Sequence, residues 1–197
     1  MRAVSTARGL LVTGFLAMLV SFQAASESSA QGFISPFIGY DFGGDSGCPQ
    51  IQGCENKNLN FGVAFGSLGR VLGSELEIAK ANNFFGDTPG VSSSVLTVMG
   101  NVMLAPKFGP AQPYLLAGLG LMKTRVDLTV LGLLDSTNNH FGWDLGGGVI
   151  GFVAPHVGLR GDIRYFHAFQ DLQVLGIPIA DAKLDFGRAS AGVVFKF

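Results

Sequence analysis

DFGRASAGVVFKF, running from Asp185 to Phe197, is the stretch that decides how the rest of the sequence is read. From Phe186 onward one parity (Gly187, Ala189, Ala191, Val193, Phe195, Phe197) is wholly small or apolar. The other (Phe186, Arg188, Ser190, Gly192, Val194, Lys196) carries every polar group. A period of two kept over that length describes a β-strand with a different solvent on each face. The alternative is a terminal strand of a soluble sheet, and the remainder of the sequence argues against it.

The amino-terminal end supplies a compartment. Arg2 and Arg8 form a positive flank, Gly9 to Phe22 is apolar, and Ser28-Ser29-Ala30 offers small residues before a cut ahead of Gln31. Residues 1–30 therefore read as a secretory signal peptide and residues 31–197 as one mature domain. The apolar run is shorter than the ~20 residues a helix needs to cross a bilayer, which argues against a retained anchor. The first cysteine is Cys48, so no lipid-attachment cysteine lies near the cut. Shedding Arg2, Arg8 and Glu27 takes the formal net charge from −1 to about −2. No basic surface for a nucleic-acid partner is implied.

Composition separates lipid from water. The chain is 48% hydrophobic with 29 Gly and 17 Phe, and only 14% charged, where an average soluble domain is about 25% charged. No stretch after the signal is apolar for long enough to span as a helix. In lipid only helices and closed barrels satisfy their backbone groups, so an apolar chain without a spanning helix points to alternating strands. The fold class expected is all-β: an eight-stranded antiparallel transmembrane up-and-down barrel with short periplasmic turns and longer outer loops.

Eight such strands are predicted near Phe33 to Phe42, Leu59 to Leu68, Leu72 to Asn82, Val95 to Ala105, Pro113 to Val126, His140 to Val153, Val157 to Ala168 and Leu184 to Phe197. Their connections alternate. Gly43 to Asn58, Asn83 to Ser94, Asp127 to Asn139 and Phe169 to Lys183 are long, whereas Gly69-Arg70, Pro106 to Gln112 and Ala154 to His156 are shorter. A lipocalin-like soluble barrel also alternates, but it turns its apolar parity inward and needs more charge outside. Here the charged parity must face the lumen, because an Arg in mid-bilayer costs ~2–4 kcal/mol. Arg160, Asp162 and Arg164 thus face in, with Leu159 and Ile163 out. Glu75 and Glu77 face in, with Leu72, Leu76 and Ile78 out. Asp144, Gly146 and Gly148 face in, with Phe141, Trp143, Leu145 and Val149 out. Pro113 to Val126 is apolar on both parities, and Leu115, Ala117, Leu119 and Leu121 are assigned outward with Lys123 and Arg125 above the bilayer. Trp143, Tyr40, Tyr165 and Phe197 are expected near aromatic girdles.

SPFIGYDFG (Ser35 to Gly43), QPYLLAGLGLMKTRV (Gln112 to Val126), FGWDLGGGVIGF (Phe141 to Phe152) and VGLRGDIRYF (Val157 to Phe166) together give the sequence its family character. It is similar to the small eight-stranded barrels of the OmpA/OmpX and opacity-protein type over nearly all of residues 31–197. Ser190, Gly192, Phe195 and Phe197 stand at polar-x-Gly-x-x-aromatic-x-aromatic, which resembles the carboxy-terminal signal that such barrels present to the barrel-assembly machinery. The resemblance implies a multi-pass protein of the cell outer membrane, a monomer whose partners are outer-membrane lipid and that machinery. It implies no single activity, since relatives include anchors, adhesins, narrow pores and a few lipid enzymes. The peptidoglycan-binding domain that some larger relatives append has no counterpart in residues 31–197.

Interior charges are the most functional-looking set. In an eight-stranded barrel the third and seventh strands lie opposite one another across a lumen that side chains just fill. Glu75 and Glu77 are expected to meet Arg160 and Arg164 across the axis, with Asp162, Asp144 and Arg188 at other depths. Such ions need partners or trapped water, because desolvating an unpaired one costs several kcal/mol. Either they are a polar plug that fixes the barrel's register, or they gate an ion path.

Other motifs carry less. Cys48 and Cys54, in the first outer loop, read as a local disulfide in an oxidising envelope; without a nearby His they make a poor metal site. Gly146, Gly148 and Gly151 match GxGxxG, but inside a strand rather than between a strand and a helix, so they are read as room for neighbouring interior side chains. A lipid-modifying enzyme needs a His with a Ser or an acid at the outer rim. His140 and His167 are there and His156 is not, yet neither makes a His-x-Ser pair. Asn83-Phe84-Phe85 and Leu172 to Ala180 are apolar for outer loops, suggesting contact with lipid, with each other or with a partner, or a hairpin that prolongs the strands. The function expected is structural or surface-interactive (adhesion or recognition) through the outer loops, toward an extracellular ligand of unknown identity. A narrow pore is the alternative and a lipid A-modifying enzyme the third reading. No catalytic residue, cofactor or metal is expected.

Overall fold

The computed structural model describes residues 30–44, 59–82, 84, 91–128, 134–174 and 177–197. Eight strands follow one another in chain order: β1 Gln31–Phe42, β2 Leu59–Leu68, β3 Leu72–Asn82, β4 Val91–Leu104, β5 Ala111–Leu128, β6 Leu134–Ala154, β7 Val157–Val174 and β8 Ile177–Lys196. Each pairs antiparallel with the next, and β1 pairs with β8, so the sheet closes into an up-and-down barrel with no free edge. Closure matters because every strand would otherwise present unpaired N–H and C=O groups.

Three tight connections share one end with the first and last residues of the barrel. Gly69 N–H donates to Leu72 O (2.9 Å), Phe108 and Ala111 bridge around Gly109 at φ 61°, and β6 turns into β7 at Pro155-His156 beside a bulge at Phe152/Ala154. Phe197 N–H donates to Gly32 O there (2.9 Å). The other ends of the strands, at Phe42, Leu59, Asn82, Val91, Leu128, Leu134, Val174 and Ile177, lie at the opposite end. The two strand pairs β5/β6 and β7/β8 run further toward that end than the sequence suggested. Asp127 to Asn139 and Phe169 to Lys183, expected as long loops, are mostly paired strand, with Leu128 opposite Leu134 and Val174 opposite Ile177. Of the two readings of Leu172 to Ala180, the backbone follows the prolonged hairpin. Polar residues such as Ser136, Thr137 and Asn138 do not end a strand, because ladder hydrogen bonds satisfy its backbone whatever the side chains meet.

Parity holds around the wall. Ile38, Phe61, Leu76, Val102, Leu119 and Ile163 are exposed on the outer surface, one on nearly every strand, and the neighbours that alternate with them are buried inside. An apolar belt that encircles the molecule is far larger than the patch a soluble monomer exposes. On β5 Leu115, Ala117, Leu119 and Leu121, the residues assigned outward, are exposed. Trp143 and Tyr165 meet edge-on (centroids 5.8 Å apart), and Phe141 stacks on Phe169 at 5.8 Å, giving an aromatic rim on β6 and β7 toward the long-connection end.

Candidate functional site

The interior is built in three layers. Nearest the tight turns lies an apolar layer of Phe33, Leu68, Met103, Tyr114, Leu116 and Ile150, with Phe152 packed against it. Nearest the long connections lies a second, of Phe84, Met99, Met122, Phe166, Leu184 and Phe186. There Phe166 and Phe186 stack with centroids 4.7 Å apart, and Phe84 meets Phe186 edge-on at 4.9 Å. Phe84 is fully buried in this upper layer, so that part of the apolar Asn83-Phe84-Phe85 segment serves the interior and is no exposed contact surface.

Between the apolar layers sit the ions. Arg160 Nη1 donates to Glu75 Oε2 (2.5 Å), and its Nε donates to Tyr114 OH (2.7 Å) and Asp162 Oδ2 (2.9 Å). The Tyr114 hydroxyl donates to Asp162 in turn. Arg164 reaches four carboxylates: Glu75 at 3.0 Å, Glu77 at 2.7 Å, Asp162 at 3.2 Å and Asp144 at 3.7 Å. Arg188 Nε donates to Asp41 Oδ1 (2.7 Å), and its Nη1 donates to Glu77 Oε1 and Thr97 Oγ1 (3.2 Å each). The β3 glutamates thus meet the β7 arginines, while Asp162, Asp144 and Arg188 join the same network instead of lying at separate depths. Strand tilt accounts for this: a register row climbs the barrel axis as it crosses strands, so residues far apart in row number come level.

Arginine also fastens this layer to the apolar ones. The Arg188 guanidinium lies 4.8 Å from the Phe166 ring centroid, and that of Arg160 lies 4.9 Å from the Tyr114 ring. Each cation faces acids on one side and an aromatic surface on the other, an arrangement suited to a planar, weakly hydrated guanidinium. Sequence reasoning missed Asp41, Tyr114, Asn60, Thr97 and Asn101. Asp41 was legible, since it shares the inward parity of Ser35 and Phe37. Tyr114 takes the inward parity implied by assigning Leu115 outward, but nothing in β5 itself shows that its hydroxyl meets Arg160 and Asp162.

Two glycines show why the GxGxxG run stands in β6. A Cβ at Gly146 would fall 2.7 Å from Arg164 Cγ, and one at Gly148 would fall 2.5 Å from Asp162 Cβ and 2.7 Å from the Tyr114 hydroxyl. Gly151 has open space instead. The first two keep β6 out of the way of the ion network, and no helix follows to make a nucleotide site.

One part of the network is incomplete. Neither carboxylate oxygen of Asp144 has a hydrogen-bond partner, and neither does Asn101 Oδ1, although Asn101 Nδ2 donates to Glu75 (3.2 Å). Five carboxylates (Asp41, Glu75, Glu77, Asp144, Asp162) share three guanidiniums.

At the rim, His167 Nδ1 lies 2.6 Å from Asp185 Oδ1 on the outer wall, against Trp143. Among the described residues the outward positions around this pair are Phe141, Trp143, Tyr165, Phe169 and Gly187, none of which carries a hydroxyl nucleophile of the serine type. His140 faces the interior and is buried. Of the assembly-signal residues, Ser190 donates to Asp162 (2.7 Å) inside the barrel and Gly192 packs against Phe37, whereas Phe195 and Phe197 are exposed outside. Among the described residues no group of three or more His, Cys, Asp or Glu side chains is placed to hold a metal ion. Cys48 and Cys54, and the signal segment before residue 30, lie outside the described residues.

Comparison with known proteins follows the barrel. The sequence profile described as "Outer membrane protein beta-barrel domain" matches residues 12–197. Neisserial surface protein A is similar in structure at 22% identity and a TM-score of 0.60, over 86% of this chain and 98% of that one. Ail, the attachment invasion locus protein of Yersinia pestis, solved in complex with the heparin analogue sucrose octasulfate, is similar at 12% identity and TM-score 0.58, over 85% and 99%. The outer membrane protein OprG from Pseudomonas aeruginosa is similar at 17% identity and TM-score 0.52, over 86% and 97%. No curated protein matches the sequence.

Proposed function

Because the chain belongs to the outer membrane protein beta-barrel domain family, we propose that it is an integral barrel of a bacterial outer membrane, exported by a signal peptide at residues 1–30. Its lumen is closed, and its role is surface attachment or recognition through the outer connections. The observation that carries the closed lumen is the layering: apolar side chains fill both ends, and paired ions fill the middle. An ion entering from either side loses its hydration against the apolar layer before it meets a charge, which is the expensive order of events. With the lumen occupied, the loops and hairpins on a rigid barrel are where binding is placed. Two similar folds are named as a surface protein and an attachment protein, which agrees with this reading. A narrow charge-gated pore is the second reading, and the Asp144 carboxylate, which accepts no hydrogen bond and meets Arg164 only at 3.7 Å, is the observation in its favour.

Planar-bilayer recording separates the two. A preparation whose gel mobility shifts on heating, the mark of a closed barrel, is expected to stay silent, and so is its Arg160→Ala variant. Discrete openings in the wild-type protein that change in Glu75→Gln would replace this reading with the pore.

A further inference from the structure

Charge at the tight-turn end is of one sign. Residues 30–36, 65–74, 101–116, 149–159 and 190–197, all described, hold no Asp or Glu, and their cations are Arg70, Lys107 and Lys196. The nearest acid before β1 is Glu27, in the segment read as a signal peptide. Among the described residues none of the three cations forms an ion pair. Lys107, in the connection from β4 to β5, and Lys196, at the end of β8, line one cleft of about 230 Å³ beside the turn from β6 to β7. Lys196 Nζ sits 4.3 Å from the centroid of the Phe152 ring. An ammonium seated on an aromatic face keeps its remaining N–H donors for an anion. Gly109 also lines the cleft, at φ 61°, and its N–H donates no backbone hydrogen bond among the described residues.

Two ammonium groups that share a cleft without an acid repel each other until an anion joins them. The cleft is smaller than the about 300–1,000 Å³ that a drug-sized ligand takes, so it suits one small group. It sits at the mouth of the barrel, because Lys196 shares the inward parity of the buried Val194 and Phe152 packs on the lower apolar layer. Its flanks are apolar: Phe152, Pro110 and Pro155. A bare inorganic anion makes no use of such flanks, whereas the end of a peptide presents a carboxylate next to a short aliphatic side chain. We propose that Lys107, Lys196 and the Gly109 N–H bind the terminal carboxylate of a peptide, with Phe152, Pro110 and Pro155 around its last side chain. The outer-membrane reading makes the periplasm the source of that peptide; the binding chemistry does not depend on it.

The test is an NMR titration of isotope-labelled, folded protein in neutral detergent micelles. The probe is acetyl-Ala-Ala with a free carboxylate, and the control is the same dipeptide as its carboxamide. The Gly109 and Phe152 amide signals should shift saturably with the acid and stay in place with the amide. Lys107→Gln and Lys196→Gln should each weaken binding about fivefold, and the two together about twentyfold. Arg70→Gln, on the connection from β2 to β3 and outside the cleft, should leave binding unchanged. The rest of the amide spectrum, recorded on the same samples, reports whether each variant keeps the fold. Equal shifts from acid and amide, no shift from either, or wild-type affinity in a folded double variant overturns the site. A loss in Arg70→Gln as large as that in Lys107→Gln overturns its placement in the cleft. Inorganic phosphate that binds as tightly as the acid overturns the assignment to a peptide.

Discussion

Replacing Arg164 by methionine tests the account of the lumen where it is most concentrated. The side chain is almost fully buried and approaches Glu75, Glu77, Asp162 and Asp144 within 4 Å. Without it Glu75 and Asp162 keep Arg160, and Glu77 keeps Arg188, but Asp144 keeps no cation. Five carboxylates then share two guanidiniums in a space without room for bulk water. Removing one partner of a buried ion pair costs about 3–5 kcal/mol, chiefly because the other charge is stranded. Arg164→Met is therefore expected to lose about that much. Urea unfolding of the protein in neutral micelles, followed by the emission of Trp143, the only tryptophan, measures it. Adding Asp144→Asn removes the stranded charge and should restore about 1–3 kcal/mol of the loss. Arg164→Lys should fall between wild type and Arg164→Met, since a single ammonium cannot address four carboxylates at once. A loss below about 1 kcal/mol for Arg164→Met, or a double variant no more stable than the single, refutes the network as a stability element.

The same assay checks three further changes. Asp144→Asn alone should stabilise by about 1 kcal/mol, because the new amide can donate to the unpartnered Asn101 Oδ1; a destabilised variant would mean that the carboxylate is already well held. Gly118→Ala should cost about 1–3 kcal/mol, since its Cβ would fall 2.5 Å from the Gly100 carbonyl oxygen and 2.6 Å from Asp144 Oδ1; wild-type stability would show that this contact relaxes freely. Phe186→Ala should cost about 3–5 kcal/mol by emptying the upper apolar layer; unchanged bilayer silence is expected, because the ion layer beneath remains, and the onset of conductance would make that aromatic layer the whole of the seal.

Most of the barrel was legible because its two solvents are so unlike. Wherever a strand carries a formal charge in mid-span, as at Glu75, Asp144, Arg164 and Arg188, that charge fixes the parity of the whole strand, and each of these side chains is buried inside. The bounds of β2 and β3 were legible as well, since tight turns and glycines punctuate them. What failed was the outer ends of β4 to β8, with β4 starting at Val91 rather than Val95. Polarity in Asp135 to Asn139 was read as a loop, but above the apolar belt it marks only departure from hydrocarbon, and the ladder continues through Thr137 opposite Arg125.

β5 shows why the partners inside were harder to foresee than the faces. Both its parities are apolar, which looked like an ambiguity between inside and outside. The interior explains it: Tyr114 and Leu116 belong to the lower apolar layer and Met122 to the upper, so the inward residues are apolar because they are plugs. Between them the inward positions are Gly118, at the level of the ions, and Gly120, beside Met99 of the upper layer. A Cβ at Gly118 would collide with Asn101 Oδ1 and crowd Asp144, and one at Gly120 would fall 2.6 Å from Met99 Sδ. The strand contributes no charge to the ion layer; it contributes the absence of side chains, into which the long groups of β4 and β6 extend. Period two reports which face a residue takes, but whether a glycine there is idle or a vacated place depends on what crosses from other strands. That depends on tilt and shear, which belong to the closed barrel and to no single strand.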